Sequence, residues 1–508
     1  MNRVRRVSQL FFLTFFIFLF FKTTFPYESF IPVDLFLRAS PLVALATMIS
    51  SRELISSVLL IAAIVLVFSI LVGRYFCGWV CPLGTCIDIS DRLHRLPRKN
   101  PNKSYRKYRV FKYTILAITL FAAVFSLQLI WFVDPISLIT RSFAVGVFPL
   151  FAFFVEGLLS FFIKAGLFED TIFSIYDSLR GTIIPVEPLI FKQGVFILLV
   201  FVIILLLGRF ARRFWCRYLC PLGALFALVS KFRLSKRIVT DKCISCGKCY
   251  RECKMDAISE DFQSFSHAEC IECMNCVAVC PTDAFNYSLK LKPTPEKIDF
   301  SRRRFILSGL TGLLAAGVTK TAFADKEKTG VFIRPPGSIP ENEFLDRCIR
   351  CHECIKICST TGKYLQPALL ESGWEGLLTP IGYPRLGYCE YECVLCGKVC
   401  PTGAIHELTV EQKKKMPLGT AKFDKSRCIP WYKDEDCLVC EEHCPVADKA
   451  IKFDIRAVET HDGTIREIKY PYVDEDLCVG CGICVTKCPL YGKAGIFLTA
   501  YRQERWVE

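Results

Sequence analysis

At 508 residues the chain has room for about three or four domains, but 43 Phe, 29 Cys and a mean hydropathy of +0.36 exclude an ordinary soluble enzyme. A net charge of +15 would suit nucleic acid, yet Lys and Arg gather beside long apolar runs, as at the inner edge of a membrane protein. The cysteines recur as C-x-x-C-x-x-C-x-x-x-C, a regularity that disulfide scaffolds lack.

Spanning a hydrocarbon core takes about 20 apolar residues. Residues 9–25, 54–73, 110–132 and 193–208 qualify, with a weaker fifth run at 305–323. Residues 142–168 are apolar too, but Pro149, Glu156 and Lys164 interrupt them. A charge at mid-bilayer costs about 2.5–3.5 kcal/mol, so this stretch reads as an interfacial or re-entrant helix. Arg3, Arg5 and Arg6 favour a cytoplasmic N-terminus. Arg92, Arg95, Arg98, Lys99, Lys103, Arg106, Lys107 and Arg109 follow the second run, and Arg209, Arg212, Arg213 and Arg217 follow the fourth. The loop between the first two runs holds only Arg38 and Arg52. The expected architecture is a polytopic α-helical membrane domain, four spans plus a signal-anchor helix, joined to α+β ferredoxin domains of the bacterial type.

Residues 231–287 turn polar and cysteine-rich, and a linker with Pro293 and Pro295 follows. Ser301-Arg302-Arg303-Arg304-Phe305-Ile306-Leu307, an apolar middle and Ala322-Phe323-Ala324-Asp325 have the layout of a twin-arginine export signal. Two readings stand: an uncleaved anchor that delivers the C-terminal part outside, or a membrane-touching helix that leaves it in the cytoplasm. Folded cargo carrying assembled clusters suits the first. The expected domains are 1–238 (membrane), 239–290 (two clusters), 291–325 (linker and anchor) and 326–508 (four clusters).

Thiolates are soft ligands that suit iron–sulfur cubes, and three on one tight loop can grip three irons. The fourth ligand commonly comes from the partner motif. Cys243, Cys246 and Cys249 with Cys280 make one site, and Cys270, Cys273 and Cys276 with Cys253 make another. Cys348, Cys351, Cys354 and Cys358 precede Cys389, Cys393, Cys396 and Cys400; then come Cys428, Cys437, Cys440 and Cys444, and Cys478, Cys481, Cys484 and Cys488. These groups imply six [4Fe–4S] clusters. Swapped fourth ligands are the simplest wiring in the last four groups, with a nested arrangement the alternative. Zinc ribbons space their two C-x-x-C hooks about 15–20 residues apart, unlike these quartets. His352, between Cys351 and Cys354, reads as a hydrogen-bond donor or surface residue rather than a ligand.

Five cysteines remain. Cys77 and Cys81 lie in C-x-x-x-C-P-L-G after the second run, and Cys216 and Cys220 repeat it after the fourth. Positions four apart on a helix share a side, so four thiols could converge on a metal or cluster, act as redox thiols, or simply pack helix ends. Cys86 reads as a small buried residue.

Residues 1–290 resemble the NapH family, membrane ferredoxins of periplasmic nitrate reductase systems, and more loosely the NosR and MauN groups. The four spans, the twin C-x-x-x-C-P motifs, Trp131-Phe132-Val133-Asp134-Pro135-Ile136-Ser137 and the two-cluster tail carry that likeness. Residues 301–508 resemble the NapG family through the twin-arginine segment, Arg334-Pro335-Pro336-Gly337 and the four cysteine groups. The resemblance implies a quinol dehydrogenase of the bacterial or archaeal cytoplasmic membrane. It would draw on the quinone pool and pass electrons to an extracytoplasmic redox protein, a cytochrome or terminal reductase. Quinol oxidation needs a proton acceptor, and Glu156 and Asp134 are the candidates; the alternatives are a polar helix face for Glu156 and a cap before Pro135 for Asp134. Rival readings are reverse flow into the quinone pool and a redox maturation or sensing protein.

Overall fold

The computed structural model describes residues 2–27, 29–93, 106–166, 169–180, 185, 188–289, 301–321, 332–459 and 465–507. Arg95, Arg98, Lys99, Lys103, Pro293, Pro295 and residues 322–325 fall outside them. Two compact units share the chain: Met1–Lys22, Ser29–Phe143 and Val195–Thr319 form the first, and Thr23–Glu28, Ala144–Gly194 and Lys320–Glu508 the second.

The first unit is helical wherever the sequence is apolar. Asn2–Lys22 has no charged residue between Arg6 and Lys22, and Ser56–Val72, Val110–Val124 and Gly194–Leu206 follow it. Their outer faces stay apolar and uncovered, with Phe11, Leu60, Ile64 and Val195 all more than half exposed. The run 110–132 is not one helix. It stops at Val124, Ser126 turns at φ +56°, and the Leu127 amide returns to the Ala122 carbonyl at 2.9 Å. Fifteen residues reach about 22 Å, short of a core about 30 Å thick.

By length and composition, the described helices able to cross a membrane are Arg3–Lys22 and Pro135–Lys164. The second differs from the expected interrupted segment. Pro149 sits in the first turn of Phe148–Lys164, just after a π-helical turn at Phe143–Val147, where its missing N–H breaks no ladder.

Arg302–Thr321, the twin-arginine segment, is one helix packed on Val110–Val124. Small residues allow the approach: a Cβ on Gly312 would stand 2.9 Å from the Phe121 Cβ. Phe121 meets Phe305 edge-on at 5.3 Å, and Ala316 packs with Ala122 and Leu127.

Short strand pairs accompany the cysteine groups. In the first unit β1 (Ser235–Val239) runs antiparallel to β2 (Phe285–Leu289), enclosing both groups between Cys243 and Cys280. In the second, β3 (Leu365–Pro367) pairs with β4 (Pro380–Gly382), and β5 (Thr420–Phe423) pairs with β8 (Ile496–Thr499) around the last two groups. Between these lies the hairpin of β6 (Ile451–Glu459) and β7 (Ile465–Val473). The β1–β2 and β5–β8 pairs each close two groups at their chain ends and so fix two cysteine loops against each other without a large core, whereas β3–β4 lies between its two groups.

Candidate cluster sites

The fold gathers thiols from separate cysteine groups. Burial pushes the Cys354 thiol well up, and Cys351, Cys348 and Cys400 add to it. Cys348, Cys351, Cys354 and Cys400 line one cavity. Burial likewise raises Cys396, followed by Cys389, Cys393 and Cys358. Cys440 answers first to burial, then to Cys488, Cys428 and Cys437, whereas Cys484 answers to burial, then to Cys481, Cys440, Cys478 and Cys444. In each pair of groups the last cysteine of one stands with the first three of the other. Charged thiolates crowded together in a dry cavity are unfavourable without a cation to share. A cube with an iron at each corner suits such a set.

The two-cluster module follows the same plan. Cys253, Cys270, Cys273 and Cys276 line a cavity, and burial raises Cys276 to about 12. Backbone amides point at the sulfurs: Ala257 N–H to Cys253 Sγ at 3.2 Å, and Ala284 N–H to Cys280 Sγ at 3.3 Å. Arg237 Nη1 donates to Cys276 Sγ at 2.9 Å. Such donors favour the thiolate and tune a bound cluster. Among the described residues, no group of three or more His, Cys, Asp or Glu is set to hold a single metal ion.

His352 is buried, with Nε2 at 2.8 Å from the Leu378 carbonyl, and so has a hydrogen-bonding place rather than a ligand's. Cys86 is half-buried, and burial pushes its thiol to about 12. Asp134 caps Pro135–Ser142: it accepts from the Ile136 and Ser137 amides at 3.1 and 2.8 Å and from Ser40 Oγ at 3.0 Å. Glu156 lies half-buried on Phe148–Lys164.

Charged residues around the module in the first unit carry no cysteine-like spacing. Arg106 reaches Asp256 at 3.3 Å, Arg217 Nη2 reaches the Lys254 carbonyl at 2.6 Å, and Arg213 pairs with Asp88 at 2.8 Å. Burial alone would raise Asp88, but Arg213 and Lys254 outweigh it and hold the carboxyl well below the usual range. Glu269, between Lys112 and Arg74, is held low in the same way. A clue was available in the sequence: arginine stands three residues before the first cysteine in both C-x-x-x-C-P repeats. At Gly78 a Cβ would collide with the Ile271 carbonyl. Gly78→Ala therefore should cost about 1–3 kcal/mol by overpacking and reduce iron retained per purified chain.

The stretch Arg334–Gly337 of the second unit has a structural task. Arg334 is fully buried, reaches both Glu341 oxygens at 3.0 and 2.5 Å, and donates to Thr379 Oγ1 at 2.7 Å and the Pro380 carbonyl at 3.0 Å. Gly337, at φ +80°, lets the His406 carbonyl approach.

These thiol-lined cavities define an iron–sulfur electron-transfer protein of the ferredoxin type. Models of [4Fe–4S]-binding domains match residues 55–101, 193–239 and 394–418, and others match 470–496 and 345–361; a [4Fe–4S] dicluster model matches 235–281. The chain is 31% identical over 206 residues to the methylamine utilization ferredoxin-type protein MauM of Methylorubrum extorquens, covering 39% of this chain and 87% of MauM. It is 35% identical over 200 residues to the ferredoxin-type protein NapG of Escherichia coli K12, covering 37% of this chain and 81% of NapG. YccM of the same strain, named for electron transport, is 25% identical over 288 residues, 54% of this chain and 66% of YccM. The chain belongs to the NapG and MauM family of ferredoxin-type proteins. No solved structure matches it.

Proposed function

We propose that this protein is a membrane-embedded quinol dehydrogenase that passes electrons outward, to an extracytoplasmic redox protein. One observation carries the topology. With the N-terminus inside, the order of apolar runs puts residues 23–28, 144–194 and 320–508 on the outer side, and these three stretches make up the second unit. Within it, Thr23 Oγ1 meets Glu353 at 3.3 Å, and Lys356 Nζ lies 4.0 Å from the Phe148 ring centre. The 144–194 excursion returns to its start, since a Cβ on Gly194 would stand 2.6 Å from the Val145 carbonyl. It therefore leaves the count of crossings unchanged whether or not Phe148–Lys164 dips into lipid. The short helices Ser56–Val72, Val110–Val124 and Gly194–Leu206 serve as the remaining spans, their exposed apolar faces turned to lipid, and Arg302–Thr321 serves as the anchor.

On this reading Arg5, Arg106, Arg109, Arg213 and Arg217 lie on the cytoplasmic side, where Arg106, Arg109 and Arg217 fasten the 235–289 module directly and Arg5 and Arg213 hold Asp88, the partner of its Lys254. A [4Fe–4S] cluster takes up and releases one electron without exchanging bonds. The six cysteine quartets hold such groups on both sides, and Glu156 takes a quinol proton. Asp134, whose oxygens already accept three hydrogen bonds, positions a helix start instead.

The test uses the full chain in inverted and right-side-out vesicles. Residues 332–507 should be protease-accessible in the right-side-out form, and a reduced quinone analogue should bleach the visible cluster absorbance. Glu156→Gln is expected to slow that bleaching about 100-fold, the lower end for general base catalysis, while Asp134→Asn reduces yield and leaves the rate per intact protein unchanged. Protection of residues 332–507 in right-side-out vesicles would overturn the outward direction.

A further inference from the structure

The two C-x-x-x-C-P segments are longer repeats than their cysteines suggest. Arg74-Tyr75-Phe76-Cys77-Gly78-Trp79-Val80-Cys81-Pro82-Leu83-Gly84 parallels Arg213-Phe214-Trp215-Cys216-Arg217-Tyr218-Leu219-Cys220-Pro221-Leu222-Gly223. Each half makes one π-helical turn, Phe76–Val80 or Trp215–Leu219, then a cysteine, then a helix beginning at proline. At each helix start an amide points at the second sulfur: Gly84 N–H to Cys81 Sγ at 3.4 Å and Gly223 N–H to Cys220 Sγ at 3.3 Å. The cluster cysteines Cys253 and Cys280 receive amides in the same manner.

The halves exchange arginines. Arg213 donates to the Cys77 carbonyl at 2.8 Å and the Gly84 carbonyl at 3.2 Å, while Arg74 Nη2 lies 2.8 Å from the position of a Cβ on Gly223. That crossing sets the two segments side by side: the position of a Cβ on Gly223 has Arg74 Nη2, the Cys216 carbonyl and Cys220 Sγ within 3.5 Å, and the position of a Cβ on Gly84 has the Cys77 carbonyl, Arg213 Nη2 and Cys81 Cβ within 3.6 Å.

Arg74 is fully buried, yet its Nε and Nη2 have no hydrogen-bond partner. A donor pair left bare in a dry interior is destabilising, so an acceptor belongs there. The charges agree. Arg5, Arg74, Lys112, Arg213 and Lys254 face the two carboxylates Asp88 and Glu269. Neutral, reduced thiols would leave that excess positive charge uncompensated. Four thiolates around an iron cube carry a net negative charge and meet both requirements.

We infer that Cys77, Cys81, Cys216 and Cys220 together hold one further [4Fe–4S] cluster, two thiolates from each repeat, with Arg74 and Arg213 as its positively charged flanks. The two domain-model matches at 55–101 and 193–239 are on this view halves of a single site. The site abuts the next one. Gly78 lies against the Ile271 carbonyl, and Trp79 Nε1 donates to the Glu272 carbonyl at 2.9 Å, both in the Cys270–Cys273 loop. One electron enters the cube, lowering its core charge by one, and one leaves toward that loop; no proton moves and no bond breaks. The proposed quinol reaction supplies that electron in the membrane, but the existence of the site does not depend on it.

The test therefore uses dithionite as reductant, with the full chain purified in detergent without oxygen. Wild-type protein should carry about 28 Fe, and Cys77→Ser combined with Cys216→Ser about 24. Arg74→Gln should keep the full iron content and move one reduction potential downward, leaving the others in place. A wild-type content of about 24 Fe, stoichiometric zinc, or iron unaltered by the double change would each overturn the inference. So would Arg74→Gln protein in which every potential matches wild type, a measurement that stands if the double variant fails to fold.

Discussion

Combining Cys354→Ala with Cys400→Ala should release no more iron than either change alone, about four Fe per chain, because both thiols face one cavity. Combining Cys396→Ala with Cys400→Ala should release about eight, since Cys396 meets Cys389, Cys393 and Cys358 instead. The logic is that of a double-mutant cycle: groups serving one site are redundant once it is lost, and groups serving separate sites add. Iron and acid-labile sulfide per chain are the readouts. If the pairing were nested, with Cys400 serving the last group, the first combination would lose twice the iron of a single change. The expected loss is large because a cluster is the main content of each module. The β3–β4 and β5–β8 pairs are three and four residues long, too short to order their loops unaided.

The second large effect lies at Arg334. Replacing it with Met nearly keeps the volume and removes four hydrogen bonds, leaving the mostly buried Glu341 carboxylate to Arg505 alone at 3.0 Å. Breaking a buried pair on one side costs about 3–5 kcal/mol, a fall in thermal midpoint on the order of 10 °C for a unit of this size. Loss of visible absorbance on heating would report it. Arg334→Lys should recover only part of this, because an ammonium cannot reach both carboxylate oxygens in a planar fork. The same pair predicts a pH dependence. Burial raises Glu341, but Arg334 and Arg505 outweigh it and hold its folded-state value below the ordinary one. Its contribution is thus complete above about pH 4.3, where the unfolded carboxyl is ionised, and is lost as pH falls through the lower folded value. Glu341→Gln protein should lack that part of the acid sensitivity; an unchanged acid profile would count against the pair.

Several features were legible before any fold was known. Three cysteines at i, i+3 and i+6 can grip one cube whatever surrounds them, because the loop that carries them is local. Apolar runs also announce themselves, and the helices Asn2–Lys22, Ser56–Val72 and Gly194–Leu206 fall where composition puts them. Helix ends were harder. The break after Val124 depends on Ser126 turning at positive φ, and nothing in an apolar run marks such a turn. Pro149 misled in the opposite sense, since proline interrupts a helix only where an amide is required of it.

The sequence by itself determined the chemistry: soft sulfur ligands in short loops, beside stretches too apolar for water. Only the tertiary structure decided which distant thiols share a cavity, that the two C-x-x-x-C-P segments exchange arginines, and that Arg74 and Arg334 are buried. Spacing along a chain fixes contacts over a few residues. Contacts over hundreds of residues depend on how helices and strands pack, and a linear pattern does not record that.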